Sequence, residues 1–341
     1  MNILVTGGAG YVGSVCAEQL LAAGNAVVVL DNLSTGHREA VPRDAIFVEG
    51  DFGDASLIHD LVRKYKIEAV MHFAGETLVS KSMTDPQPYF CTNVYKGIEF
   101  LDALMTNGVR KLIFSSTAAV YGEPIATPIT EVHPTQPINA YGESKLMFER
   151  ILEWYHKAYG LRYAAPRYFN AAGASEAHGE HHNPETHLLP LLMQSLMDPD
   201  YEFVIHGADY PTVDGTCIRD YVHVLDIASA HILALQAIGD GKFQGAFNVG
   251  SSNGCSVRQV LKAVEEVTGS RIRFRVGARR QGDPAVLVAS HERLSKELGW
   301  QPRLSNIIDI VRSAWKWRQI HPDGYVDSLE AQVISGSTSR G

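Results

Sequence analysis

Cysteine is scarce in this 341-residue chain: Cys16, Cys91, Cys217 and Cys255 stand far apart, with no Cys-x-x-Cys pair and no zinc-ligand spacing. That excludes a disulfide framework and points to a reduced compartment. A basic surplus is missing as well. Thirty Lys and Arg face 38 Asp and Glu, a formal charge of −8, so no general nucleic-acid binder is expected. A small anionic ligand is still allowed, because a few well-placed arginines can hold one. No apolar run approaches the roughly 20 residues that span a bilayer. Met1-Asn2 leads straight into Ile3-Leu4-Val5 without a signal sequence, so a cytoplasmic protein with no membrane partner is expected.

What is present is an ordinary globular composition, 45% hydrophobic and 20% charged, on a chain long enough for a large core. Ile3-Leu4-Val5, Ala26 to Leu30, Ile46-Phe47-Val48, Ala69 to Phe73 and Lys111 to Phe114 read as buried strands. Stretches with helical spacing lie between them, at Val15 to Ala23, Ala55 to Tyr65 and Asn93 to Asn107. Apolar strands alternating with helices predict an α/β fold with a doubly wound parallel sheet of the Rossmann type. Past about residue 165 the pattern loosens, and prolines, glycines and histidines crowd Ala171 to Pro190. The division expected is a dinucleotide-binding domain over 1–170, a smaller α/β substrate lobe over 171–325, following or interleaved with the first, and a frayed tail over 326–341.

The first strand runs into Thr6-Gly7-Gly8-Ala9-Gly10-Tyr11-Val12-Gly13 and then a helix. Gly7 and Gly10 let the turn close and the backbone approach a pyrophosphate, while Gly13 allows close helix–strand packing. The exposed amides and the helix dipole hold the anion. A glycine pattern alone is also what any tight strand–helix turn needs. Asp31, closing the next strand 18 residues after Gly13, adds the second half of the signature: it accepts both adenosine ribose hydroxyls and repels a 2′-phosphate, so NAD is expected rather than NADP. Asp51-Phe52 past strand three, and Phe73-Ala74-Gly75 at the end of strand four, sit where they could flank such a cofactor or merely punctuate strand ends.

Ser115-Ser116-Thr117 ends strand five, at the carboxyl edge where open α/β sheets bind ligands. Tyr141-Gly142-Glu143-Ser144-Lys145 opens a helix, and the i, i+4 spacing puts Tyr141 and Lys145 on one face. A free tyrosine, with a pKa of about 10, is too weak a base at neutral pH. A neighbouring ammonium and a cationic nicotinamide would favour the phenolate, and Thr117 would relay the proton or position a hydroxyl. Tyr-x-x-x-Lys alone is common on solvated helix faces; after a nucleotide turn and a hydroxyl cluster it reads as catalytic.

These residues resemble the extended short-chain dehydrogenase/reductase group. Within it the chain resembles the UDP-glucose 4-epimerase family from Met1 to about His321. Further marks are Asp31-Asn32-Leu33-Ser34, Tyr168-Phe169-Asn170, Asp209-Tyr210-Pro211-Thr212, Asp214-Gly215-Thr216, Arg219 to Val224 and Arg279-Arg280-Gln281-Gly282-Asp283-Pro284. The resemblance implies an NAD-dependent isomerase, homodimeric through helices at Pro88 to Met105 and Tyr141 to Tyr159. It inverts C4 of a UDP-hexose by way of a 4-keto sugar, with Tyr141 taking the C4 hydroxyl proton and Lys145 binding the nicotinamide ribose. It further implies cofactor contacts at Tyr11, Val12, Asn32, Leu33, Ser34, Thr35, Asp51, Phe52, Phe73, Asn93 and Tyr168. Substrate contacts follow at Asn170, Leu188, Arg219, Arg280 and Asp283, the arginines suited to diphosphate oxygens; singly, each arginine reads as a surface ion pair.

Three positions depart from the family pattern. Thr77 replaces a lysine near the nicotinamide, His187 replaces an asparagine, and Leu287 lines the room around C2 of the sugar. A leucine is smaller than the tyrosine that excludes N-acetyl groups in some members, so UDP-N-acetylglucosamine is an expected further substrate. A 4,6-dehydratase needs an Asp-Glu pair after the threonine; Ala118-Ala119 stand there and cannot shuttle protons. UDP-xylose or UDP-glucuronate epimerisation remains an alternative, as does a non-catalytic NAD sensor, although sensors tend to lose the tyrosine. His178, His181, His182 and His187 lack regular ligand spacing and an acidic cluster in sequence, so a solvated loop and no metal are expected.

Overall fold

The computed structural model describes residues 1–280 and 283–326. Gln281 and Gly282 of the Arg279 to Pro284 motif, and all of the expected tail beyond Val326, lie outside the described residues.

Strands β1 (Asn2–Thr6), β2 (Ala26–Asp31), β3 (Ile46–Glu49), β4 (Ala69–His72), β5 (Lys111–Phe114), β6 (Ser116–Thr117) and β7 (Arg162–Tyr168) follow the apolar runs. The later strands are β8 (Asn170–Ala172), β9 (Phe203–His206), β10 (Ile218–His223), β11 (Gly245–Val249), β12 (Gly254–Ser256), β13 (Phe274–Gly277) and β14 (Val286–Leu287). The large sheet runs β11-β7-β5-β4-β1-β2-β3, with β6 beside β7. Every pair in it is parallel. Ile3, Leu4 and Val5 are all 0% exposed, which is why β1 carries no polar alternation: helices cover both faces. One face packs the Tyr11–Ala22 and Val224–Gly239 helices, the other the Ala55–Tyr65, Gly97–Thr106 and Ala140–Tyr159 helices.

The strand order reverses at β1, whose neighbours are β4 and β2. Connections leave in opposite directions there, so the carboxyl ends of β1 and β4 open a crevice. The Gly7 N–H donates to Leu30 O at the end of β2 at 2.9 Å, and the Ala74 N–H, just past β4, donates to Thr6 O at 3.1 Å.

The smaller lobe holds a sheet in which β10 pairs with β8, β12 and β14, plus the β9–β13 pair. Helices Leu188–Met197, Val257–Thr268 and Ile307–Ile320 pack on it. A cut at residue 170 does not separate the lobes. The Val224–Gly239 helix and β11 return to the large sheet, and β8 leaves its end to pair with β10. The Ala140–Tyr159 helix starts sharply because the Asn139 side chain accepts the Gly142 N–H at 2.7 Å, and ends where Gly160 turns left-handed at φ +69. Among the described residues no helix is long and apolar enough to cross a membrane.

Candidate active site

The glycine turn lies at the crevice, and its geometry requires glycine. Gly7 has φ +73, and a Cβ there would lie 2.5 Å from Ala74 N. A Cβ on Gly13 would lie 2.2 Å from Gly7 O. Side chains would fill the space in which the turn and the helix N-terminus meet, so only a bare backbone leaves an anion room to approach the helix start. Asp31, at the end of β2, accepts the Ala9 N–H at 3.0 Å and the Leu33 N–H at 2.9 Å. These bonds aim its carboxylate beside the turn. Burial raises its pKa while the Leu33 and Ala9 amides oppose that. A carboxylate next to a glycine cradle fits a dinucleotide whose ribose is unphosphorylated.

The other expected cofactor residues divide into those at this edge and those committed elsewhere. Leu33 adopts φ 56, and Asn32 Oδ1 accepts the Ser34 N–H at 3.1 Å, which shapes the loop through Thr35. Asp51 is held by the Lys96 ammonium at 2.6 Å and the Gly53 N–H at 2.8 Å. Burial pushes its pKa up, but those partners and Asn32 bring it below the usual carboxylate range. The Phe52 ring is 6% exposed and packs edge-on against His72 and Phe100, so its side chain is a core element. Phe73 stacks on His231 with centroids 5.2 Å apart. Thr77 is exposed in the loop after Gly75. Val12 packs partly buried on the core, and the Tyr11 hydroxyl donates to Gly173 O at 2.6 Å, tying the turn to the smaller lobe.

Tyr141, Lys145 and Thr117 converge at the carboxyl end of β5 and β6. A Cβ on Gly142 would lie 2.5 Å from Ala119 O, so this glycine lets the Tyr141 helix close on the segment after Thr117. Lys145 is 2% exposed and donates to Ser115 O at 3.0 Å, with its Nζ 4.8 Å from the centroid of the Phe114 ring. Burial lowers its pKa to about 8, with Glu149 pulling back. Burial raises that of Tyr141, and interaction with the Thr117 hydroxyl opposes the rise. Lys145 and Tyr141 lie on one face of their helix, as the i, i+4 spacing predicts, and one of the three ammonium donors of Lys145 is taken by the Ser115 main chain.

The surroundings hold this arrangement. Asn93 lies on a π-helical turn, Phe90–Lys96; its Oδ1 accepts the Glu76 N–H at 2.8 Å, and its Nδ2 donates to Ser144 Oγ at 3.0 Å. Tyr168 shares a 2.8 Å hydrogen bond with Ser115. Behind them Glu149 accepts from Ser116 Oγ at 2.5 Å and from both Arg167 Nε and Nη2, while Arg167 Nη1 donates to the Tyr121 hydroxyl at 2.9 Å. Sequence reasoning missed this network, although Glu149 follows Lys145 by four residues and so shares its helix face.

The residues expected on the substrate side come from the smaller lobe. Arg219 forms an ion pair with Asp283; burial pushes the nearby Cys217 thiol up, and Arg219 and Arg280 both oppose that rise. Leu287 sits opposite Arg219 in the β10–β14 register and packs on the cluster that holds Leu146 and Phe169. Asn170 pairs with Tyr221, and Leu188 opens its helix after His187.

A nucleotide cradle at a switch point, with a tyrosine–lysine pair at its rim, defines a dinucleotide-dependent α/β enzyme. Residues 3–250 match the model of the NAD dependent epimerase/dehydratase family. UDP-glucose 4-epimerase of Lacticaseibacillus casei is 48% identical over 329 residues, 96% of this chain and 99% of that one. The crystal structure of UDP-glucose 4-epimerase from Brucella ovis in complex with NAD has a TM-score of 0.89 and 43% identity, covering 92% of this chain and 97% of that one. The Bifidobacterium longum enzyme in complex with NAD+ and UDP has a TM-score of 0.89 and 34% identity, covering 95% and 100%. This chain belongs to the NAD dependent epimerase/dehydratase family, and it is an NAD-dependent enzyme.

Proposed function

We propose that this enzyme interconverts UDP-glucose and UDP-galactose by inverting C4 of the hexose. The observation that carries the reading is the trio of half-buried Thr117 with buried Tyr141 and Lys145, set against a cradle that only glycines fit. A Cβ on Gly75, beside that cradle, would lie 3.8 Å from Lys145 Nζ, so the two parts form one site. When bound, NAD accepts a hydride from C4 and returns it. The Tyr141 oxygen removes the C4 hydroxyl proton as that hydride leaves, which gives a 4-keto sugar, and returns the proton when the opposite face is reduced. Thr117 polarises the phenol and orients the hydroxyl. Lys145 keeps positive charge nearby and holds the cofactor ribose.

Arg219 and Arg280 grip the diphosphate, with Asp283 on the uridine ribose, Leu188 and Asn170 along the sugar, and Tyr11, Val12, Asn32, Leu33, Ser34, Thr35, Asp51, Phe73, Ala74, Asn93 and Tyr168 around the cofactor. The Arg219–Asp283 ion pair keeps both ends ready: the arginine fork can turn to phosphate while the carboxylate accepts a hydroxyl. Leu287 leaves room beside C2, so UDP-N-acetylglucosamine is a second substrate. The enzyme works in the cytoplasm as a homodimer. Phe90 at 36%, Tyr95 at 61%, Trp154 at 67% and Tyr159 at 57% exposure place large apolar side chains on the two helical segments available for pairing.

The test is a comparison of wild type and Tyr141→Phe with UDP-galactose, UDP-N-acetylgalactosamine, UDP-xylose and UDP-glucuronate, without added cofactor. Losing the proton-transfer group costs roughly 10²- to 10⁴-fold in turnover with NAD content unchanged. Full activity in the variant, or a wild type that epimerises only a pentose or uronate, overturns the reading.

A further inference from the structure

We propose that Glu180, His182, Glu185 and His187 form a divalent-metal site of the zinc class, in the loop that closes against Tyr11. Their spacing in sequence is irregular, but the loop folds so that one ligand atom from each lies within 4.8 Å of all the others. His182 Nδ1 stands 3.5 Å from a Glu180 carboxylate oxygen and 3.6 Å from a Glu185 oxygen. Both separations exceed the 2.7–3.2 Å or so of an N–H···O bond. That nitrogen is a buried atom without a hydrogen-bond partner. A polar atom left unpaired among carboxylates costs free energy unless something else fills the gap. Metal bonds of about 2.1 Å in a tetrahedron put neighbouring ligands about 3.4 Å apart, which is the spacing His182 keeps from both glutamates.

The supporting contacts agree. The Thr186 and His187 N–H groups both donate to Glu185 Oε1 at 2.8 Å, which fixes the carboxylate and leaves Oε2 toward His182. The His182 and His187 rings meet edge to face with centroids 5.0 Å apart. His187 Nδ1 is ion-paired with Glu180, and its side chain is 57% exposed, so it can swing to a cation. Two carboxylates balance a dication, and two imidazoles favour zinc over magnesium or calcium. The Tyr11 ring lies 6.3 Å from that of His182, so metal there braces the smaller-lobe loop over the nucleotide turn. None of the four residues is in the Thr117, Tyr141 and Lys145 group, so zinc binding is measured apart from turnover.

The experiment titrates the chelator-treated full-length protein with zinc ion alone, by calorimetry and by competition with a chromophoric chelator. Wild type and the control His206→Ala take up one zinc per chain. His182→Ala and Glu185→Gln bind at least about 10-fold more weakly; the glutamine keeps the acceptor for the loop amides, so it separates ligation from folding. Cobalt substitution gives the visible absorption of a four-coordinate site in wild type but not in Glu185→Gln. Absence of a stoichiometric zinc in wild type, or equal binding by both variants, overturns the proposal, and the cluster is then a hydrogen-bonded loop.

Discussion

Glu149 allows the sharpest test of how the catalytic rim is held. Its carboxylate and the Arg167 guanidinium are 7% and 8% exposed, and Glu149 also accepts the hydroxyl of Ser116 in the strand that carries Thr117. Glu149→Ala leaves Arg167 charged and unpaired in the core, a change that costs roughly 3–5 kcal/mol. With about 2.1 cal/mol/K of unfolding entropy per residue, the 341-residue chain loses about 4–7 °C in Tm. The double replacement Glu149→Leu with Arg167→Leu removes both charges and recovers most of the loss. A second readout concerns Lys145, which Glu149 helps keep protonated. Its folded value of about 8 lies below the ordinary 10.5, so the folded state binds fewer protons than the unfolded state between those pH values. Folding stability from this group therefore rises with pH across that window, whereas the ammonium that the proposed mechanism uses is lost as pH climbs through about 8. In Glu149→Ala the alkaline fall of kcat/KM moves to lower pH. Calorimetric melting and pH–rate profiles supply both measurements. A single variant that melts within about a degree of wild type, with an unmoved alkaline limb, refutes the network's role.

Gly13→Ala places a methyl 2.2 Å from Gly7 O and 3.0 Å from Gly8 Cα, so the turn or the helix start must shift. Losing one well-made hydrogen bond to a charged phosphate costs about 1.5–3 kcal/mol, so NAD content of the purified protein, read by denaturation and enzymatic cycling, should fall at least about 10-fold. Leu287→Tyr fills the space beside C2, and turnover of UDP-N-acetylglucosamine should drop far more than that of UDP-galactose; equal losses on both sugars would remove Leu287 as the determinant. Mass photometry should give twice the chain mass for wild type, while Trp154→Glu on the exposed helix face shifts it toward one copy.

The chain's local rules wrote much of this out. Strands β1 to β5 were legible because a sheet buried on both faces leaves unbroken apolar runs, and the turn was legible because backbone so close to Ala74 and Gly7 tolerates glycine alone. Asp31, Tyr141 and Lys145 follow from spacing along one strand or one helix face. Tertiary structure decided what spacing does not encode. It returned the Val224–Gly239 helix and β11 to the first sheet, since the apolar faces of both lobes must be covered and the chain is free to cross between them. It brought the Ser115 carbonyl, 30 residues away in sequence, within reach of the Lys145 ammonium, a contact that no local spacing encodes. It also drew Glu180 and Glu185 around His182 and His187, an assembly that a proline- and glycine-rich loop makes by its path through space and that no sequence period announces.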